Sequence, residues 1–214
     1  MKERTSQLLY AYWNDVRGDR VAPRRFDIEP SRITGILPET FILERLSRAE
    51  YVFRLAGTRI CEVFGREFRG ASLSTMLDEA DQEAMERVLE SVCREGAAGI
   101  LTLEARDRLE RSVRLEMLLL PLVHTGLEIS RVLGSLAVSA APAWLGQEPV
   151  VTLRLKTFNL VWPDGRPHAL LERSDRQSPF LRGPRHSRVV HSERRSFRVY
   201  EGGLSTSEPP PSKP

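Results

Sequence analysis

Apolar residues recur at helical spacing near the start of the chain. They share one face of a predicted amphipathic helix, and Gly18 is placed to end it. This face comprises Leu8, Leu9, Tyr12, Trp13 and Val16. A second and longer helix is predicted over 78–96, where Met85, Val88, Leu89, Val92 and Cys93 repeat the helical spacing before Gly96.

Alternation of apolar and polar residues predicts five strands. Two lie at 40–46 and 51–56, and they follow each other closely enough to pair. Three more lie at 99–107, 112–122 and 130–140, separated by short polar turns, which is the pattern of an antiparallel meander. Between the first pair and the meander, Thr58 to Phe64 reads as a short helix closed by Gly65.

The order of these elements predicts an α+β fold, with a five-stranded antiparallel sheet carrying helices on one face. The amphipathic helix and a proline-broken connector precede the core, so we divide the chain into 1–37 (flanking helix and connector), 38–141 (core), 142–164 (extension) and 165–214 (tail). Composition agrees with a globular protein, since 41% of residues are hydrophobic and 29% are charged. No apolar stretch reaches the length of a membrane span, and residues 1–13 lack a signal-peptide pattern, so a cytoplasmic protein without membrane contact is expected.

The basic character of the chain belongs to its tail. Residues 165–214 contain 10 Lys and Arg against 5 Asp and Glu, whereas the remainder contains 22 against 24. The tail is rich in Arg, Ser, Pro and Gly, which predicts a disordered segment that the fold does not need. A short strand at 187–191 or 196–200 remains open as an addition to a sheet edge, and weak, salt-dependent attraction to nucleic acid or another polyanion is the functional alternative for this segment.

Four short motifs occur in order along the predicted core. They are "RLAGT" at 54–58, "GREFRG" at 65–70, "LLLPL" at 118–122 and "WLG" at 144–146. With the element order, they make residues 8–162 resemble a PAS domain, and in particular a proteobacterial PAS subfamily with motifs of this kind. The resemblance implies a cytoplasmic bacterial signalling protein, in which the second strand and the short helices cover a cavity against the sheet.

A PAS cavity would be apolar here, because apolar residues alternate along one face of the three late strands. An unidentified small molecule is one possible occupant, and a packed core without a ligand is the favoured alternative. The candidate lining residues are Phe53, Leu55, Cys61, Phe64, Met85, Leu103, Leu115, Met117 and Leu136.

The sequence offers no catalytic constellation, so no enzyme and no catalytic residue are predicted. Three of the four histidines fall in the tail, His124 lies in a predicted hairpin loop, and phosphate-loop, dinucleotide and zinc motifs are missing. No metal site is expected. No cofactor is predicted either, since the long helix lacks a histidine for haem and the late strands lack the amide side chains of flavin-binding PAS relatives. Cys61 and Cys93 read as buried free thiols.

Two further surfaces are candidates for contacts. Arg54, Arg59 and Arg66 cluster around a turn and could bind an anion, although ion pairs with nearby glutamates are the favoured interpretation. The helix face of Leu9, Tyr12, Trp13 and Val16 is predicted to form a homodimer, with packing on its own sheet as a nearly equal alternative. The expected function is a non-catalytic sensor or adaptor in signal transduction that contacts a small molecule or a protein partner.

Overall fold

A computed structural model describes residues 1–126 and 128–165, together with the backbone of 188–192 and 195–199. The chain divides into two compact units, Met1–Ser174 and Asp175–Pro214. The first unit contains all the elements described below except one hairpin.

Three α-helices and three 3₁₀ segments lie in the first unit. Helix α3 is the long predicted helix; the side chain of Asp78 caps its first turn, and Gly96 ends it in the left-handed conformation. Gly65 ends α2 in the same way, as predicted. The helices are α1 (Arg4–Arg17), α2 (Thr58–Phe64) and α3 (Glu79–Glu95), and the 3₁₀ segments are Arg25–Asp27, Pro30–Glu39 and Leu73–Met76.

The sheet has six antiparallel strands where five were predicted. The strands are β1 (Thr40–Arg45), β2 (Tyr51–Ala56), β3 (Ala98–Asp107), β4 (Ser112–Val123), β5 (Ile129–Val138) and β6 (Val150–Val161), in the spatial order β2-β1-β5-β4-β3-β6. The α+β class, the five predicted strands and their antiparallel pairing are confirmed. The sixth strand comes from the predicted extension and pairs with β3 along almost its whole length.

Both faces of the sheet are covered, and each has its own core. On one face, α2 and α3 pack with residues such as Leu101, Leu103 and Leu115. On the other face, α1 and the 3₁₀ connector pack against Leu118, Leu120 and further apolar side chains. The sheet is therefore the middle layer of three, and the amphipathic helix α1 forms an outer layer.

The face of α1 that was predicted to form a dimer lies inside the chain. Leu9 and Trp13 are 0% exposed and Tyr12 is buried, while Val16 is half-buried against the same cluster. The structure thus has the alternative arrangement, intramolecular packing on the sheet. Leu8 belongs to the predicted face but points to solvent, being 46% exposed.

Polar contacts fix α1 at both ends. The Glu116 carboxylate of β4 accepts hydrogen bonds from the backbone N–H groups of Lys2 (2.7 Å) and Glu3 (3.2 Å), just before the helix begins. Trp13 Nε1 donates to the carbonyl oxygen of Pro121 at 2.9 Å. At the other end, the buried Arg17 pairs with Asp164, with 3.1 Å between Nη1 and Oδ1. The helix therefore has a defined position along the sheet.

The second unit contains a two-stranded antiparallel hairpin, β7 (Arg188–Ser192) with β8 (Arg195–Val199). Both segments had been considered as short strands, and they pair with each other. Val and Phe in these two segments suit paired strands. The predicted disorder of the tail stays a prediction. The rest of the predicted disordered segment lies outside the described residues.

Candidate functional site: an arginine-lined cleft

Most of the predicted cavity residues lie in the packed core beneath α2 and α3. All but two of the nine are buried, at 5% exposure or less. These seven are Phe53, Phe64, Met85, Leu103, Leu115, Met117 and Leu136. They share one cluster, as predicted, but their role as a ligand lining stays a prediction.

Aromatic rings fill the space between the sheet and the short helices. Phe53 contacts Phe41 and Phe68, with ring centroids 5.6 and 5.1 Å apart, and Phe64 meets Phe68 edge-on at 5.3 Å. The neighbouring space beneath α3, lined by Tyr51 and Met85 among others, is about 20 Å³. That volume suits about one water molecule. The side chains of this state therefore form the packed alternative to an open cavity.

The other two predicted lining residues are less buried than these seven. Leu55 is 43% exposed because Arg54 has no partner on β1: Ile42 pairs with Leu55, but Leu43 pairs with Phe53. The extra residue is a β-bulge, and it turns Leu55 off the buried face. Cys61 is half-buried, and its thiol contacts the Glu67 carboxylate at 3.6 Å. Leu55 is therefore not placed on the predicted face, whereas Cys61 packs against the edge of the core and its lining role stays a prediction.

The three predicted anion-binding arginines have three different sets of partners. Arg54 forms an ion pair with Glu44 across the β1–β2 pair. Arg66 lies over the Phe68 ring, 4.7 Å from its centroid, and donates to Thr75. Arg59 lines a separate groove of about 460 Å³ beside α1. Arg54 is thus the one residue of the three with an ion pair among the described residues, and its partner Glu44 lies on the neighbouring strand.

A concave site of ligand size lies elsewhere in the described part of the chain. It is a cleft of about 570 Å³ where the connector after α1, the end of β1, the end of α3 and the β4–β5 hairpin meet. This volume falls in the usual range of small-molecule sites. The lining consists of Arg20, Val21, Ala22, Arg24, Arg45, Cys93, Arg94, Val123, Gly126, Glu128 and Ile129, and we call it the arginine cleft.

Strand register explains how the cleft is assembled. Arg24 forms an isolated bridge with Val123 at the end of β4, and Val123 pairs with Ile129 of β5. On the other side of β5 lies β1, which ends at Arg45. Two arginines therefore flank a pair of apolar residues. At a strand spacing of about 4.8 Å, three steps put the two arginine backbones roughly 14 Å apart.

The four arginines of the cleft differ in how many of their donors are already used. The guanidinium group of Arg20 already donates to the carbonyl oxygens of Val16 and Arg17, and it pairs with Asp27 at 2.6 Å. Arg94 pairs with Glu90 at 2.9 Å.

Arg24 and Arg45, by contrast, form no ion pair with any carboxylate of the described residues. Arg45 donates only to the carbonyl oxygen of Ser47, at 3.3 Å. Their guanidinium groups thus keep donors for a bound anion.

The electrostatics of the cleft are positive. Its lining carries four arginines and one glutamate, Glu128. The hydrogen bond from Arg20, followed by one from the backbone N–H of Arg24, holds the pKa of Asp27 below its usual value, so Asp27 is ionised and keeps Arg20 in place. Burial raises the pKa of the Cys93 thiol, so this cysteine is neutral at pH 7 and acts as part of the apolar wall.

Sequence reasoning missed the cleft because its four arginines come from three separate segments, namely the connector after α1, β1 and α3. Arg45 lies 21 residues after Arg24, Arg94 lies 49 residues after Arg45, and none of the three stands in a motif. The sequence contained only weak signs of a site at these residues. Arg24 follows a proline, and Arg45 ends a strand beside a polar turn. Only the pairing of β1 with β5 and of β4 with the connector brings these residues to one place.

Comparison with known proteins identifies the family. A family model described as a PAS domain matches residues 1–137, which is more than half of the chain. The chain belongs to the PAS domain family. The match includes α1, the connector and β1 to β5, but ends before β6. A search of curated proteins found no match.

Three of the four short motifs noted in the sequence have structural roles in this fold. In "RLAGT", Gly57 packs so tightly on the connector that a Cβ atom would lie 2.3 Å from the Pro38 carbonyl oxygen. In "GREFRG", Phe68 is a fully buried core ring between two glycines with positive φ. In "WLG", Trp144 stacks on Arg111, with 4.9 Å to the ring centroid. These motifs therefore position the PAS core and do not line the arginine cleft.

The described residues show neither a metal-ligand cluster nor a membrane-crossing helix. Within 1–126 and 128–165, no three histidine, cysteine, aspartate or glutamate side chains are grouped to hold a metal ion. None of the helices in this part of the PAS protein combines the length and apolar character that crossing a bilayer would need.

Proposed function

We propose that this PAS protein is a non-catalytic sensor or adaptor of bacterial signal transduction in the cytoplasm, and that it binds a small molecule or a protein partner. The family match supports a signal-sensing module, since PAS domains are generally sensory. The single observation that carries the proposal is the arginine cleft, a concave, solvent-open site of ligand size in a fold whose central core is packed. Proteobacterial origin and homodimer formation belong to the same proposal.

The cleft is well placed to transmit a signal. Its wall is built in part from the connector between α1 and the sheet, through Arg20, Val21, Ala22 and Arg24. A ligand or partner that binds there would contact the connector and the sheet together, so it would change the stability of α1 on the sheet. A binding site that joins two packed layers is a simple way to convert contact into altered association.

Native mass spectrometry of the full chain purified from its own host tests this function, together with co-purification of bound proteins. We expect either a retained small-molecule mass or a stoichiometric protein partner, and we expect it also with residues 1–174 alone. An Arg45→Glu variant should lose the bound species, whereas Arg87→Glu, on the exposed face of α3, should keep it. A chain that carries no species in any form would contradict the proposal.

A second function is supported by the charge of the tail. Residues 165–214 carry a formal charge of +5, so weak binding to nucleic acid or another polyanion is the alternative role. Polyanion binding of this kind requires the tail and should be lost at high salt, whereas the PAS function requires the first unit. Comparing the full chain with residues 1–174 separates the two.

A further inference from the structure

We infer that the arginine cleft binds a small organic anion with an acidic head group, a carboxylate or a phosphate ester, and an apolar body. This inference rests on the proposed function and adds the chemical class of its ligand. It is carried by the geometry of Arg24 and Arg45 around the Val123–Ile129 pair.

The acidic head is required by the charge of the lining. Arg24 is exposed and Arg45 is half-buried, and neither has a carboxylate partner among the described residues. A guanidinium group binds carboxylate and phosphate oxygens through paired N–H donors, and these charge-assisted bonds are about twice as strong as neutral ones. The lone acidic residue of the lining, Glu128, leaves the site with an excess of positive charge.

The apolar body is required by the floor of the cleft. Ala22 is buried, Val123 and Ile129 are half-buried, and the side chain of Cys93 closes the wall at the end of α3. An inorganic ion would leave these apolar groups in contact with water, whereas a ligand with an aromatic or aliphatic part would cover them. Covering apolar surface contributes about 25 cal/mol per Å².

The size of the cleft limits the ligand. Its volume of about 570 Å³ is that of a small-molecule site. A nucleic acid strand instead needs a continuous basic path with stacking surfaces. We therefore infer that the ligand is a small anion, and the experiment below also tests for binding of a nucleic acid.

The experiment titrates the full chain with defined probes at 150 mM salt and follows binding by isothermal calorimetry. The probes are benzoate, phenyl phosphate, inorganic phosphate and the uncharged benzyl alcohol. We expect saturable binding of one or both aromatic anions and at least tenfold weaker binding of inorganic phosphate and benzyl alcohol. Whether benzoate or phenyl phosphate binds more tightly identifies the head group.

Variants assign the binding to the cleft. Arg24→Ala and Arg45→Ala should each weaken the better anion roughly tenfold, since each removes a charge-assisted contact. Arg87→Ala should not change it, because that residue pairs with Glu83 on the exposed face of α3. Both cleft arginines are solvent-accessible, so the variants should fold, and a matching circular dichroism spectrum and thermal midpoint verify this.

Three results would overturn the inference. The first is binding that Arg24→Ala and Arg45→Ala leave unchanged, which would place the anion in the basic tail or elsewhere. The second is equal binding of benzyl alcohol, which would make the head group irrelevant. The third is preferential binding of a short single-stranded DNA that competes at the cleft. If no probe binds but native mass spectrometry retains a neutral ligand or a protein partner, the proposed function stands and this inference fails.

Discussion

Gly134 in β5 lies where the ring of Phe41 leaves no space for a side chain. A Cβ atom at this position would lie 2.2 Å from the Phe41 ring and 2.7 Å from the Leu118 carbonyl oxygen. One obstacle is a buried ring and the other is the backbone of β4, so neither can move easily. Glycine here is therefore a requirement of packing, since its φ is not in the left-handed region.

We expect Gly134→Ala to lower the free energy of unfolding by about 1–3 kcal/mol, because overpacking a close-packed core has this effect. Gly35→Ala is the matched control, since a Cβ atom there meets nothing within 4 Å. It should be neutral or slightly stabilising. Urea unfolding of both variants measures the difference, and equal midpoints would show that the sheet relaxes around the added methyl group.

Asp107 closes the turn between β3 and β4. Its Oδ1 accepts N–H bonds from Leu109 and Arg111 at 2.9 Å, and its Oδ2 accepts one from Arg111 Nε at 2.6 Å. Burial alone would raise the pKa of this carboxyl group, but these hydrogen bonds and the guanidinium charge outweigh it and lower the pKa below its usual value.

The stabilising effect of Asp107 should therefore depend on pH in a defined direction. A lowered pKa in the folded state stabilises the fold above the unfolded-state value of about 3.9, and this stability is lost as the pH falls through the folded-state pKa. Asp107→Asn should unfold at a lower urea concentration than the parent at pH 7. This gap between the two urea midpoints should narrow below about pH 4. The exposed Asp19→Asn is the control. A gap that stays constant from pH 7 to pH 3 would contradict this.

Leu55 shows what the sequence could not reveal about single residues. Tyr51, Phe53 and Leu55 alternate without interruption, so the pattern assigns all three to the core. The bulge at Arg54 depends on how β1 and β2 align, and that alignment is fixed by contacts between distant residues. The other buried strand positions, such as Leu101 and Leu103, follow the pattern because β3 pairs with β4 there without a register shift.

Among the elements, α1 was correctly predicted as a helix, but the prediction did not determine which surface its apolar face packs against. The apolar face of Leu9, Tyr12 and Trp13 was evident from spacing, but spacing does not say which surface covers it. The cover is the second face of the sheet, whose central residues Leu118, Leu120 and Leu133 are apolar. Apolar residues on both faces of β4 were a usable sign that both faces would be covered.

The position of α1 can be tested with two substitutions in the same helix. Trp13→Ala should lower the free energy of unfolding by about 3–5 kcal/mol, because it removes a fully buried indole and its bond to Pro121. Leu8→Ala should change it little, since Leu8 is 46% exposed. Chemical unfolding and light scattering are measured together. A Trp13→Ala variant that loses dimer mass without losing stability would show that this face is a dimer interface.

The sixth strand and the cleft were missed for related reasons. Strand β6 has a recognisable apolar–polar alternation at its start, but it lies beyond the predicted core, and two bulges in its pairing with β3 interrupt the pattern. The cleft depends on which strands are neighbours, and the order β1-β5-β4 is not the order of the sequence. Local pattern therefore predicted nearly all the elements, while the candidate site emerged only from their arrangement.

At the scale of the whole molecule, charge is divided between the two units. Residues 175–214 contain eight Lys and Arg against four Asp and Glu, whereas the PAS unit has nearly balanced charge. The Arg17–Asp164 pair that fixes the end of α1 lies within the first unit. Both residues of this pair come before Ser174, where the first unit ends.

We expect truncation after Ser174 to leave the thermal midpoint within about 2 °C, which is less than the shift that 1 kcal/mol causes in a domain of this size. The same truncation should abolish retention on a heparin column, because it removes a net charge of +4. The full chain should be retained at low salt and released as the salt concentration rises. A midpoint that falls by several degrees would make the tail part of the PAS fold. Equal retention of both forms would assign polyanion binding to the first unit, where the arginine cleft would be the site to examine.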